Sequence, residues 1–471
     1  MQNDVQYAGE FAILELNLTL PTGQVLNLDK DFILTEINIF EDIFSHSVMG
    51  NVILADTREL ITKAAFIGQE KLTLKIQTPS PDFNVNFNDD GTSKNIDFTE
   101  MPLRIHKIPL RTGISSGAQI YELQFISDHA VTNANKRISK SYVKTKSNIG
   151  EMVEDLLITE LGLPSNKVKE NIERTVGSRP LLVQNSNPLS FISRLAKEAI
   201  SEKNNSSEYV FFANKNGVHF RTLQELFKRE PRGLFHNGDK GIDEKYENDD
   251  ENSGKLVQSY RRILEFELLQ GHDFLHNNHN GMVGGKVVEH NLYRKKLETS
   301  TFNYFDDDDY SSGDRVDKER VYVREAFNAS DDQLENSRIS VIANSKDKSD
   351  KDMLFELKKD ANQRNKTILR RLSKFSEIHN GISIKMEVTG YTALTAGDMI
   401  FVNLQSIGGD DSDPAINKFY SGLYLVKTLR HKFSYPTGTH TMGMTVVKDG
   451  VPFPLEPDVS AFLKPKSGVL A

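Results

Sequence analysis

Residues 11–20, FAILELNLTL, and the stretch from Phe32 to Phe40 alternate apolar and polar positions, the period of strands with one buried face. Val48–Asp56 reads as a third strand, Thr57–Ile67 as a short helix ended by Gly68, and Lys71–Thr78 as another strand. Residues 79–100 carry Pro, Asn, Asp and Gly throughout and read as a long exposed hairpin loop. Met101–Leu110 and Ala118–Ser127 add two strands joined by RTGISSG.

The period then changes. Ile149, Met152, Val153, Leu156, Leu157 and Leu161 fall on one helical stripe stopped by Gly162. Asn187 as N-cap and Pro188 at the first position open a second helix whose buried face is Leu189, Ile192, Leu195 and Ala199. Tyr209 to Arg221 reads as a hairpin turning at Asn214-Lys215-Asn216-Gly217. Asp239 to Lys255 is acidic and nearly free of apolar residues, a solvated linker.

Strands resume at 256–270 and 281–295. A polar segment centred on Asp306–Asp309 follows, then a charged helix from about Lys351 to Phe375. Its buried stripe is Leu354, Leu357, Ala361, Ile368, Leu372 and Phe375. Four further strands run through ISIKMEVTG, AGDMIFVNLQS, YSGLYLVKTLRHKFSYPTG and THTMGMTVVKD, before a Pro-rich extended tail.

The element order of 30–128 resembles that of 256–449. In this reading VMGNVILADTREL corresponds to GMVGGKVVEHNLYRK, KLTLKIQT to DMIFVNLQS, and the final hairpins to each other. The expected fold is α+β and mainly β. A first tube-like β-barrel spans 1–128, a small helical α+β domain 129–234, an acidic linker 235–255, and a second barrel of the same kind 256–450. That second barrel has an insert at about 300–350, and 451–471 form the tail.

Composition narrows the chemistry. The 471 residues include no Cys and no Trp, which excludes disulfides, Cys-based zinc sites and thiol nucleophiles. A net charge of −8 argues against a protein that grips nucleic acid, because phosphate contacts call for surplus Lys and Arg. No signal-peptide pattern opens the chain, and no apolar run is long enough for a membrane-spanning helix.

Four motifs could carry chemistry, and each has a plainer reading. Gly113-Ile114-Ser115-Ser116-Gly117 matches G-x-S-x-G, but a nucleophile elbow needs a strand before it and a helix after, whereas strands flank this one. Gly281-Met282-Val283-Gly284-Gly285-Lys286 lacks the spacing and the final hydroxyl of a phosphate loop and reads as a turn. His272, His276 and His279 could ligate a metal, yet no Glu stands beside them as a base, and the Asn and Gly around them suggest a polar loop. Asp306 to Asp309 could attract Ca²⁺, but Ser311 and Asp317 occupy the places where an EF-hand loop has Gly and Glu. No catalytic, cofactor-binding or metal-binding residue is assigned, and the chain is not expected to be an enzyme.

Three signatures in order carry a family resemblance. SNIGEMVEDLLITELGL is followed by Pro188, Leu189, Phe191, Ile192, Arg194, Leu195 and Ala196 in a PL-x-F-I-x-R-L-A pattern, then by the Tyr209–Arg221 hairpin. TAGDMIFV (395–402) and GLYLVKTLRHKF (422–433) close the series. Together they resemble phage baseplate hub proteins, and with them late-control tail proteins and the N-terminal part of type VI secretion spikes.

The resemblance implies a structural hub in the virion tail baseplate, assembled in the host cytoplasm. Such a hub is a homotrimer whose duplicated barrels make a pseudo-sixfold ring. It would adapt the sixfold tail tube to the threefold central spike and conduct DNA through its lumen without specific binding. Implied partners are copies of itself, the central spike protein, the tail tube protein and other baseplate proteins, with the tape-measure protein a further candidate. No β-prism needle follows the last barrel, so the spike is expected as a separate polypeptide. Inward-facing side chains are expected to be neutral or acidic, and the 79–100 and 300–350 inserts to face outward. The alternatives are the hub of a phage-derived contractile injection system and, from another class, a tail-associated hydrolase.

Overall fold

The computed structural model describes residues 7–64, 66–78, 95–115, 117–142, 148–177, 181–238, 259–270, 273–292, 295–306, 315–317, 319–344, 361–405, 416–417 and 419–452. The linker at 239–255, the tail from 453, His272, Asp307–Asp309, Leu354 and Leu357 lie outside them. The fold is α+β and mainly β, dominated by one largely antiparallel 14-stranded sheet.

The first half supplies β1 (Ala12–Thr19), β2 (Ile33–Asp42), β3 (Met49–Asp56), β4 (Lys71–Gln77), β5 (Leu103–Ser115) and β6 (Ala118–Ser127). A middle module follows, with helices α1 (Ile149–Asp155) and α2 (Pro188–Ala196) and the hairpin β7 (Tyr209–Asn214) and β8 (Gly217–Thr222). The second half has β9 (Ile263–Gln270), α3 (Phe274–His279), β10 (Gly284–Asn291), β11 (Lys296–Asn303), β12 (Ile339–Asn344) and α4 (Ala361–Asn380). It ends with β13 (Ile382–Thr389), β14 (Met399–Asn403), β15 (Gly422–Ser434) and β16 (Thr439–Lys448).

The sheet runs β9-β13-β16-β15-β2-β3-β6-β5-β4-β1, with β14 beside β15. Two runs of the same design are visible in it. In the first half β2-β3-β6-β5 lie side by side with β4 against the start of β5; in the second, β9-β13-β16-β15 with β14 against the start of β15. Their irregularities coincide too. The β2–β3 register shifts between Leu34 and Glu36, and the β9–β13 register between Ile263 and Glu265. The β5–β6 register shifts between Ile105 and Lys107, and the β15–β16 register between Val426 and Thr428. Matching bulges at matching strands are hard to reconcile with independent origins.

This corrects the strand correspondence expected from the sequence. The counterpart of β3 is β13, not the 281–295 strand. Gly284–Asn291 instead belongs to a separate three-stranded sheet, β11-β10-β12, inserted between β9 and β13. Residues around 300–350, expected as a polar insert, supply two of its strands. They also form a small core of Val287, Phe302, Tyr304 and Leu334 against Leu369 of α4. At the other expected loop, 79–94 lie outside the described residues, but Ile96–Asp97 pair with β4 and Phe98 is buried.

The helices follow their apolar stripes, with two refinements. Leu189, Ile192, Leu195 and Ala199 are buried as the spacing predicts. Asn187 occupies the N-cap of α2, but the cap is made by Asn133, whose Oδ1 accepts from Leu189 N at 2.9 Å. In α4, Ile368, Leu372 and Phe375 are only half-buried, while Leu369, Ser373, Lys374, Glu377 and Ile378 are buried. The stripe is displaced because Lys374 makes a buried ion pair with Asp449, and the Arg371 guanidinium donates to the carbonyls of Ser207 and Tyr209. Charged residues on a core face leave no apolar period to read.

The middle module is clasped by both halves. Lys215, at the tip of the β7–β8 hairpin, is fully buried; its backbone N–H donates to Glu41 Oε1 of β2 at 2.8 Å and its ammonium donates to the Thr392 carbonyl. Glu41 Oε2 accepts from Thr395 Oγ1 at 2.6 Å and Ala396 N at 2.9 Å, and Asn214 Nδ2 donates to Ala396 O at 3.0 Å. An apolar cluster around this clasp draws Ile43 from the first half, Val210, Phe212 and Leu226 from the module, and Met399, Leu425 and Val447 from the second. Burial raises the Glu41 pKa, opposed by its hydrogen bonds; burial lowers that of Lys215 to about 8, opposed by Glu41 and Asp398.

Glu41→Leu should therefore cost about 3–5 kcal/mol, because it strips the acceptor from three donors and leaves Lys215 short of opposing charge. Glu41→Gln, which keeps one acceptor oxygen, should cost clearly less. Denaturant unfolding of both variants checks the order, and equal losses would contradict it.

Candidate functional site

Where β9, β13, β16, β15, β2 and β3 lie side by side, alternate side chains stand on one open face of the sheet. Register places Glu265, Glu387, Gly443, Arg430, Phe40 and Met49 in one row across it. Glu267, Lys385, Thr445, Thr428 and Asp42 form the next. These rows line a trough of about 660 Å³. Thr, Gly and charged groups dominate it, which is a surface for water rather than a second core.

Arg430 and the neighbouring Lys432 stand beside an acid on the same face. Arg430 donates from Nε and Nη2 to Asn38 Oδ1 at 3.0 and 2.8 Å and lies 3.6 Å from Glu36, and Lys432 is 3.7 Å from the same carboxylate. Asn38 donates to Glu36 Oε1 and Asn51 Oδ1; Asn51 donates to Glu122 Oε1 at 2.7 Å, as does Gln124 at 3.0 Å. The ladder crosses four strands from β15 to β6 and contains no general acid or base paired with a nucleophile. Arg104, farther along, is tied to Asp128 at 2.7 Å.

The opposite face of the same strands is apolar and holds two neutral imidazoles. His431 Nδ1 and His440 Nε2 lie 3.1 Å apart, both buried, with the His440 ring stacked on Phe433. Burial lowers His431 to about 3 and pushes His440 well below the ordinary range, and His129, buried with Nε2 against the His46 carbonyl, falls to about 4.

The motifs singled out from the sequence do not gather here. Gly113 to Gly117 lie where β5 turns into β6, with Ser115 paired to Ala118, so strands flank the motif on both sides; Ser116 is outside the described residues. Gly281 follows a helix and precedes strand β10, the reverse of a phosphate loop's order. His276 and His279 sit on α3, a short helix where a loop was expected, because Asp273 Oδ1 caps it by accepting from His276 N at 2.9 Å. Among the described residues no group of three His, Asp or Glu is arranged to hold a metal. Of the acidic run only Asp306 is described.

A group whose folded pKa lies below its unfolded value loses its stabilising effect as pH falls through the folded pKa. Stability should therefore decline from about pH 6.5 toward the values of about 4 and 3 for His129 and His431. Unfolding in that window should take up protons, measurable by calorimetry in buffers of different ionisation enthalpy. Proton-neutral unfolding there would contradict the buried neutral imidazoles.

No family model matches the chain. A curated relative, "Probable baseplate hub protein gp334" of Vibrio phage KVP40, is 23% identical over 335 residues, covering 70% of this chain and 71% of the relative. Among solved structures, a tail protein from Neisseria meningitidis MC58 is 9% identical, with a TM-score of 0.48 over 94% of this chain and 98% of its own. The 43 kDa tail protein of prophage MuSo2 from Shewanella oneidensis is 8% identical, with a TM-score of 0.49 over 92% and 98%. The Vibrio phage relative agrees with the resemblance carried by the three sequence signatures: this chain is similar to a phage baseplate hub protein.

Proposed function

We propose that this chain is the structural hub of a phage baseplate, a homotrimer. Its two barrel-like halves (1–128 and 256–450, around the module at 129–234) would alternate in a pseudo-sixfold ring between the tail tube and the central spike. The observation that carries the reading is the repeated five-strand design with coincident bulges, continuous in one sheet. A doubled unit lets three chains present six similar surfaces to a sixfold partner while keeping a threefold one available to the spike. The same architecture would serve a phage-derived injection system.

The open face is the natural wall of the conduit. A DNA channel must not hold phosphate, and basic groups released from acids would do so at every turn of the duplex. Arg430 and Lys432 share Glu36, and Arg104 is held by Asp128, so part of this positive charge is offset locally. That refines the expectation of a neutral or acidic lining: bases are present among the acids.

Mass photometry of the purified chain, with and without its spike protein, should register a trimer; monomer under both conditions would count against the hub. The wild-type assembly should not retain a short DNA duplex at about 0.15 M salt. A Glu36→Lys, Glu122→Lys, Glu387→Lys variant should, with affinity falling steeply as salt rises. Fluorescence anisotropy reads both, and tight wild-type binding would overturn the conduit reading.

A further inference from the structure

Lys374 is buried together with two carboxylates, in an arrangement that has the parts of a condensation reaction. Its ammonium, on α4, meets Asp449, the residue after β16. Glu377 Oε2, one turn farther along α4, lies 3.8 Å from the same ammonium. The Lys374 and Asp449 side chains are at most 1% exposed and that of Glu377 is 3% exposed. Phe227, Ile378 and Val447 belong to the apolar cluster around them, and the Phe227 ring centroid is 5.4 Å from the ammonium.

The two oxygens of Asp449 are already distinguished. Oδ2 faces the Lys374 ammonium, whereas Oδ1 accepts from Val316 N at 2.8 Å. A backbone N–H aimed at Oδ1 is placed to hold the negative charge that a tetrahedral intermediate would put there. Tyr304, fully buried, stands beside Glu377; burial pushes its hydroxyl well above the ordinary range, and the carboxylate adds to the rise.

We propose that Lys374 and Asp449 condense into an intramolecular isopeptide bond, with Glu377 carrying the protons. Glu377 takes one proton from the ammonium and passes it to Asp449 Oδ2, leaving a neutral amine beside a neutral acid. The amine lone pair forms the Nζ–Cγ bond, and Oδ1 takes the charge against the Val316 N–H. Glu377 then removes a second proton from Nζ and gives it to the Oδ2 hydroxyl. The Cγ–Oδ2 bond breaks and water leaves. One ammonium and one carboxylate have become one amide and one water, and Glu377 is again a carboxylate.

Two physical effects favour the step here over the same groups in water. Fixed juxtaposition gives an effective molarity on the order of 10⁵–10⁸ M. The amide also replaces two charges that are costly to keep out of solvent. The other lysines held near acids lack one part or another. Lys215 donates to the Thr392 carbonyl, and Lys448 donates to the carbonyls of Phe419 and Ser421 at 2.8 and 3.1 Å, with Asp317 at 3.9 Å. Lys140 meets Asp155 with Glu160 at 3.5 Å, but its side chain is 33% exposed, and water there keeps the pair ionic.

The bond would join residues 75 positions apart and close β13 to β16 in one covalent loop. It would tie α4, which follows the inserted sheet, to the end of the last long strand, constraining the unfolded chain as a disulfide does in a protein that has no Cys. The inference goes beyond the hub reading and does not depend on it.

Intact-mass spectrometry of the purified full chain in denaturant should find it one water lighter than its sequence. Tryptic digestion should join Leu372–Lys385, uncut at Lys374, to the peptide that carries Asp449. Lys374→Arg, which keeps the ion pair, and Asp449→Ala should both show the full sequence mass. Glu377→Gln should form the bond at least about a hundredfold more slowly while keeping the native circular dichroism, and Glu377→Asp should recover part of the rate. A folded wild-type chain at full sequence mass would overturn the proposal and leave an ion pair only. A lost water mapped to any other pair, Lys140 with Asp155 included, would overturn it too. Equal rates in Glu377→Gln and wild type would overturn the part given to Glu377.

Discussion

Glu41 is the group on which the arrangement of the whole chain turns. It lies on β2, the strand where the second half joins the first, and its two carboxylate oxygens accept from the hairpin tip of the middle module and from the Thr395–Ala396 loop of the second half. A buried carboxylate without partners would cost several kcal/mol, so the donors must come to it, and they come from three separate parts of the sequence. Hydrophobic clusters fill each part, but apolar contact is tolerant of sliding. The directed hydrogen bonds around Glu41 and Lys215 fix where the module sits against the junction.

The strand edges, the first helical stripes and the Asn214–Gly217 turn were legible because each is a local pattern: period two, period 3.6, or a turn residue with its own conformational preference. Nearly every strand of the large sheet stands within a few residues of its expected place. What local pattern could not reveal was partnership. Lys215 reads as a polar turn residue and is buried where the module meets both halves; Lys374 reads as the solvent side of α4 and is buried against Asp449. Charge that is satisfied by a residue 75 or 174 positions away leaves no signature in its own neighbourhood.

The repeat shows the same limit from another side. Its final hairpins were recognisable, but 281–295 was aligned with β3 because both look like strands that precede a helix. The true counterpart, β13, follows its helix, since the β10–β12 sheet and α4 are inserted between β9 and β13. Bulges resolved the matter where letters could not, because an extra residue in one strand changes the register of every pair after it. The open face was likewise invisible in composition. A net charge describes the whole chain, whereas the trough depends on which acids stand next to which bases, and Glu36 serves two of them.

The covalent continuity of the β15–β2 junction bears on how any ring of such units could be made. Two halves on one polypeptide meet at an effective concentration set by their tether rather than by the number of copies in the cell, in the millimolar range for short flexible connections. Half of the joints in an alternating ring would then be complete as soon as each chain folds. Only the remaining half would depend on collision, so the order of the nucleating reaction, and its sensitivity to dilution early in infection, would be that of three bodies and not six.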